Sequence, residues 1–363
     1  MAAVAIQRVT VSAYQVPTSS PEADGTLSWD STTMVLVRLR AGDECGLGYS
    51  YAHHAAASLI QDKLVPILEG ADAMAIPGLW RDMLNALRNL GQGSLCAMAL
   101  SAVDNALWDL KARLLQVPLA NLLGRSREAV PIYGSGGFTS YSVEELQGQL
   151  GDWVAGGISR VKMKVGSQPD ADIARVRAAR EAVGETTELF VDANGAYDRK
   201  QALAFARAFA EFGVNWFEEP VSSDDREGLR LLRDRAPGAM EISAGEYGYR
   251  IFDFRLLLEG GCVDVLQADA TRCAGISGFL QVSSLCQAHG VPLSAHTAPA
   301  LHLALGCALP DFRHLEYFHD HVRIEATLFD GVTTPQAGRL APDLSRPGLG
   351  LDFREQDAAR YAL

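Results

Sequence analysis

From about Val130 onward the sequence repeats one motif, a short apolar run followed by an amphipathic helix. Eight runs can be read, VPIYGS, RVKMKV, ELFVDAN, NWFEEP, MEISAGE, VDVLQAD, VPLSAH and RHLEY, with helical segments such as DADIARVRAAREAVG and RKQALAFARAFAEFG between them. Apolar runs of this length read as strands buried on both faces, as in a parallel sheet covered by helices. Right-handed strand–helix–strand crossovers leave two outcomes, an open sheet or a closed barrel. Eight strands with seven intervening helices predict closure, so the expected fold is a TIM-like (β/α)7β barrel.

The first third of the chain is different. VAIQRVTVSAYQV and TTMVLVRLRAG alternate as strands do, the polar Gly/Pro-bearing stretch 18–31 between them reads as a loop, and over 55–123 apolar residues recur at helical spacing. The expected organisation is an α+β unit over 1–125, the barrel over 126–330, and a loop-rich segment over 331–363. That last segment, punctuated by Pro335, Pro342 and Pro347, is expected to pack back on the α+β unit.

In such a barrel, chemistry gathers where strands run out into loops. Seven consecutive strand ends carry ionisable or amide side chains: Lys162 and Lys164, Asp192 and Asn194, Glu218 and Glu219, Glu246, Asp269, His296, and Glu316. That many carboxylates cannot be buried together without a counter-charge. Asp192, Glu246 and one of the adjacent pair Glu218/Glu219 lie on three successive strands. An all-oxygen donor set free of cysteine and histidine suits a hard cation, Mg²⁺ above all. Lys162 and Lys164 share one face of their strand by the two-residue alternation, flanked by Val161, Met163 and Val165. Two ammonium groups side by side lower each other's pKa, which is one way to make a lysine base. Only five of the 32 basic residues are lysines, so placing two of them here is conspicuous. His296 and Asp269 end adjacent strands, where the aspartate can fix the imidazole's tautomer.

Composition narrows the class further. The net charge of −12 argues against a nucleic-acid partner. The start of the sequence lacks a basic leader pattern and no apolar stretch reaches about 18 residues, so neither export nor a membrane partner is expected. The six cysteines form no CxxC pair and read as reduced thiols of a cytoplasmic protein.

The motifs KMK, VDAN, FEEP, AGE, QAD, SAHTAP and HLEY, in this order, resemble the mandelate racemase / muconate lactonising branch of the enolase superfamily. The likeness spans nearly the whole chain, including GLGYSYA, ALSAVDNALWDLKARLLQVPLANLLG and a closing PGLGL. It implies that the α+β unit caps the barrel, with its segments 19–29 and 49–54 closing over the substrate. It implies one Mg²⁺ on Asp192, Glu218 and Glu246, with Glu219 left as a supporting or salt-bridging neighbour. Lys164 would be one base, with Lys162 lowering its pKa and reaching a substrate carboxylate that Asn194 also contacts. The His296–Asp269 pair would serve the opposite face, and a protonated Glu316 would donate to the developing enolate.

Such a site abstracts the proton α to a carboxylate of a small-molecule substrate. Trp29, Tyr49, Tyr51, His53 and His54 in the capping segments are polar enough to meet hydroxyls, which favours a sugar acid (aldonic or aldaric) dehydrated to a 2-keto-3-deoxy acid. The alternative is a racemase or epimerase of an α-hydroxy acid. Relatives of this kind commonly self-associate, so a homo-oligomer is expected.

Overall fold

A computed structural model describes residues 3–363. The eight apolar runs are the strands β4 (Val130–Gly136), β5 (Arg160–Lys164), β6 (Glu188–Asp192), β7 (Val214–Glu218), β8 (Glu241–Ala244), β9 (Val265–Ala268), β10 (Leu293–Ala295) and β11 (Phe312–Phe318). Each pairs in parallel with the next, and β11 returns to β4, which closes the barrel. The expected (β/α)7β barrel is what forms.

The strand alternation explains the interior. Phe190 and Trp216 sit two residues before Asp192 and Glu218 on the same faces, and with Tyr133 and Val265 they make a dry floor under the polar mouth. Gln267 and the Trp216 indole both donate to Glu218 Oε2 (2.9 and 3.0 Å), so the floor also orients a mouth carboxylate.

The α+β unit is a three-stranded antiparallel sheet, β1 (Ile6–Ala23), β2 (Ser28–Ala41) and β3 (Glu44–Tyr51), backed by helices. The loop expected over 18–31 is instead the far end of a long hairpin. Pro17 pairs with Ser31 and Glu22 with Trp29, so a bulge absorbs residues 18–21 and the strands then continue. Pro17 stands just before that bulge and Pro21 is its last residue, where fewer ladder N–H groups are needed.

The hairpin tip reaches the barrel mouth. A Cβ on Gly25 would lie 2.2 Å from the Ala193 carbonyl and 2.7 Å from that of Val165, so only glycine allows this approach. The long helix Ser94–Leu114 fastens the other side: Asn105 Nδ2 donates to the Ala270 carbonyl (3.1 Å) and its Oδ1 accepts from Ile276 N (3.0 Å). Asp104 similarly accepts from the backbone and hydroxyl of Ser277. In the closing segment, β12 (Phe329–Asp330) pairs with β14 (Asp352–Phe353), and Leu363 N donates to Ala13 of β1, while β13 (Arg339–Leu340) pairs with β4.

Candidate active site at the barrel mouth

Asp192, Glu218 and Glu246 converge, each offering an oxygen within 4.8 Å of the others, and all three are buried. Glu246 Oε2 is buried with no hydrogen bond, which is costly unless a cation meets it. The mouth as a whole holds six carboxyl groups (these three, Glu219, Asp269 and Glu316) against three permanent cations, Lys162, Lys164 and Arg272. The donor set, the orphaned oxygen and the charge excess fit one hard divalent ion.

Glu219 does not follow the strand alternation. β7 ends at Glu218, and Glu219 adopts the left-handed region (φ 37°), which keeps it beside the acidic cluster. Its Oε1 is buried without a partner and no salt bridge reaches it, so the expected ion-pair role does not hold. Burial, then Glu246, Asp192 and Glu218, push its pKa far up. Asn194 (φ 46°), Thr297 (φ 49°) and Ala298 (φ 40°) are also left-handed, so backbone strain collects around the same rim.

Lys164 Nζ bonds Asp192 Oδ2 (2.5 Å) and Asn194 Oδ1 (3.0 Å). Lys162 Nζ lies below, 2.5 Å from Glu218, 2.9 Å from Glu316 and 3.4 Å from Asp192. Lys162 acts on Lys164 in the expected direction, but not alone. Burial and Lys162 do pull the Lys164 pKa down, but the Asp192 carboxylate outweighs them and the net shift is upward. Lys162 is wholly buried, with its Nζ shared among Glu218, Glu316 and Asp192. Asn194 lines the cavity, yet its amide oxygen is engaged by Lys164.

Glu316 also differs from expectation. Burial would raise its pKa, but Lys162, His296 and Lys164 hold it at about 2. It accepts from Ser135 Oγ (2.6 Å) and Thr297 N (2.9 Å), contacts that an ionised carboxylate favours.

Across the mouth, His296 Nδ1 meets Asp269 Oδ2 at 2.9 Å, as expected, and His296 Nε2 points to Glu246 Oε2 at 3.3 Å. Burial opposes ionisation of Asp269, but His296, His302 and Arg272 hold it below the usual carboxylate range. A carboxylate on Nδ1 leaves Nε2 as the reactive nitrogen. β5 and β10 stand three strands apart one way round the barrel and five the other, so Lys164 and His296 face each other.

A cavity of about 560 Å³ opens between this mouth and the cap. Trp29, Tyr51 and His53 all line it. Trp29 spends its indole N–H on Glu22 (2.9 Å) and presents only its ring. Tyr51 stacks on His321 (3.4 Å between centroids) and its buried hydroxyl has no partner. Tyr49 turns away to bond Glu325 (2.6 Å), and neither it nor His54 lines the cavity. Sequence reading missed Arg272 and Thr297. Arg272, three residues past Asp269, lies 3.7 Å from that carboxylate and 3.5 Å from Glu246, bridging the two sides. Its spacing from Asp269 was visible; its reach to Glu246 depends on barrel closure.

A closed barrel under a hairpin cap, with a carboxylate triad between a lysine and a histidine, defines a metal-assisted proton-abstraction enzyme class. The chain belongs to the mandelate racemase/muconate lactonizing enzyme branch of the enolase superfamily. The family's N-terminal domain (mandelate racemase / muconate lactonizing enzyme) matches residues 7–124, and its enolase C-terminal domain-like unit matches residues 145–358. The chain is 33% identical over 358 residues to the 3,6-anhydro-α-L-galactonate cycloisomerase of Streptomyces coelicolor, covering 96% of this chain and 97% of that one. It is 35% identical over 326 residues to the L-talarate/galactarate dehydratase of Salmonella typhimurium, covering 88% and 80%. Among solved structures, a mandelate racemase/muconate lactonizing enzyme-like protein from Rubrobacter xylanophilus superposes with a TM-score of 0.97 at 56% identity, with 99% of each chain covered. A racemase from Streptomyces coelicolor A3(2) with bound magnesium does so at 0.92 and 30%, covering 99% and 100%.

Proposed function

We propose that this protein is a Mg²⁺-dependent dehydratase of sugar acids. The observation that carries the reading is the carboxylate triad, with the orphaned Glu246 oxygen, held between Lys164 and His296 at the floor of a hydroxyl-lined cavity. Asp192, Glu218 and Glu246 would hold the ion. When bound, Mg²⁺ supplies charge to engage these carboxylates and Lewis acidity toward the substrate carboxylate.

The protein's own groups do the rest. The proton α to a carboxylate is removed by Lys164 or His296, according to the configuration at that carbon. Were Asp192 a ligand to the ion, its carboxylate would be less available to hold Lys164 protonated. The C–H electron pair forms the new double bond and the β-hydroxyl leaves. The base on the opposite wall, protonated, supplies its proton, so water is released and the enol tautomerises to the 2-keto-3-deoxy acid. Asp269 holds His296 in the required tautomer, and Arg272 holds Asp269.

Relatives named as dehydratases of talarate/galactarate and of arabinonate support elimination over racemisation. The same pair of bases also suits racemisation or epimerisation, and a cycloisomerase stands among the relatives. The test is a panel of aldonic and aldaric acids with Mg²⁺, assayed for 2-keto acid. Dehydration yields keto product; an epimerised acid without keto product favours the racemase/epimerase reading.

We also infer a homo-oligomer in the cytoplasm, with the α+β cap, the barrel and the returning C-terminal segment as its three parts. All six cysteines are free, and no described helix is long and apolar enough to cross a membrane. Light scattering at micromolar concentration checks the assembly, and a monomeric mass would refute it.

A further inference from the structure

The two ends of the cavity are unlike. The barrel end presents Lys164, Arg272 and His296 beside the triad. The cap end presents Asp24 and the hydroxyls of Ser31, Thr32, Thr33 and Tyr51, and no lysine or arginine of the described residues lines it there.

Three of the cap-end polar groups offer acceptor oxygens, Asp24, Ser31 and Thr32, while the Tyr51 hydroxyl, which has no partner, can also donate. Asp24 Oδ1 takes the backbone N–H groups of Thr26 and Leu27 (2.6 and 2.7 Å), and Oδ2 is left without a hydrogen bond. Thr32 gives its hydroxyl proton to Asp320 (2.5 Å), and Ser31 gives its proton to Asp30 (3.1 Å) while its oxygen accepts from Gln15 Nε2 (3.0 Å), so neither hydroxyl has a proton left to give a ligand. Glu22 lies buried behind them, with one oxygen unpartnered and Asp320 nearby. Of the imidazoles on this side, His321 accepts from Ala298 N (3.2 Å) at Nδ1, which occupies that nitrogen's lone pair, and burial and then His296 push its pKa far down. His53 stands on the exposed rim.

An ionised carboxylate only accepts hydrogen bonds, and enclosed without a cation it costs several kcal/mol. Hydroxyl groups donate, which is what this wall requires. We propose that the substrate carries a single carboxylate, at the triad, and a neutral hydroxyl-bearing tail under the cap: an aldonic rather than an aldaric acid. This rests on the dehydratase reading of the same mouth and narrows it.

The experiment pairs each aldonic acid with the aldaric acid of the same configuration, galactonate with galactarate among them. It reads both 2-keto acid formation and the rise in Tm of the Mg²⁺-loaded enzyme, which needs no turnover. The productive aldonate should exceed its diacid partner by at least about 100-fold in kcat/KM, the scale set by an unpaired buried charge, and aldonates alone should raise Tm. Leu27→Arg places a cation on the cap wall at a largely exposed position, and should narrow that gap about tenfold. A diacid that reacts or stabilises as well as its monoacid partner overturns the proposal and leaves the dehydratase reading intact. A gap that Leu27→Arg does not change also overturns it. Absence of keto product from every acid overturns the dehydratase reading instead, and the Tm series still ranks monoacid against diacid.

Discussion

Lys164 and His296 stand on opposite walls of one mouth, in surroundings that are not equivalent. The carboxylate that holds Lys164 is Asp192, which is also a member of the cation triad, and Lys162 below it is held by Glu218, another member. The carboxylate that holds His296 is Asp269, which lies outside the triad and is steadied by Arg272. In the proposed mechanism Lys164 depends on Asp192 being engaged elsewhere, whereas His296 is oriented by Asp269 outside the triad and meets the triad only through its Nε2, 3.3 Å from Glu246. On the proposed mechanism, one wall would be switched by the cation and the other is largely prearranged by the protein.

Removing the ion is the harshest challenge to this contrast. Chelation should abolish turnover and Mg²⁺ should restore it, and Glu246→Gln should lower kcat/KM by at least about 10³-fold, since it removes a ligand on which charge stabilisation and the lysine wall both depend. Full activity in metal-free buffer would break the account of both walls. A matched pair of substitutions then separates the walls. Asp192→Asn should lose Mg²⁺ affinity and activity together, while Asp269→Asn should lose about 10²-fold in kcat and keep Mg²⁺ affinity within about threefold. Titration calorimetry beside initial rates reads both. Equal loss of cation binding in the two variants would erase the distinction.

A smaller effect belongs to the seam between the cap and the barrel. Glu325, which accepts from Tyr49 of the cap (2.6 Å) and from Ala300 N (3.0 Å), is pushed from an ordinary 4.5 to about 8 by burial. Below about pH 4.5 it is neutral in both the folded and the unfolded chain, and its contribution to stability is intact. Between 4.5 and 8 only the unfolded chain ionises, so stability falls with rising pH by up to about 1.4 kcal/mol per unit. Glu325→Gln should flatten the urea-unfolding stability profile across that window, and parallel profiles would contradict the assignment. The least effect is expected from Tyr51→Phe, which removes the unpartnered cavity hydroxyl. It should cost about 3- to 10-fold in kcat/KM, through KM, the worth of one hydrogen bond to substrate.

The prearranged parts were also the ones most legible in the sequence. Strand periodicity placed Lys164, Asp192, Glu218, Glu246, Asp269 and His296 at successive strand ends, and barrel closure brings those ends together without further information. Reading failed where a side chain's state depends on several partners at once. Two adjacent lysines predicted a lowered pKa, but the carboxylates beside them dominate; Glu316 was expected to be protonated, but Lys162 keeps it ionised. Glu219 escaped the alternation rule because a left-handed residue ends it. The cap hairpin was read as a loop because its pairing across the 18–21 bulge is visible only in register, and Gly25 shows its purpose only against the carbonyls of Ala193 and Val165. Arg272 was passed over because its second partner, Glu246, is contributed by another strand.

The most direct test of the two-wall account is α-proton exchange in deuterated water, measured by NMR on both configurations of a substrate acid with the Mg²⁺-loaded enzyme. Lys164→Ala should retain exchange on the configuration that faces His296 and lose the other, and His296→Asn should do the converse. Either variant exchanging both configurations at the wild-type rate would contradict the account.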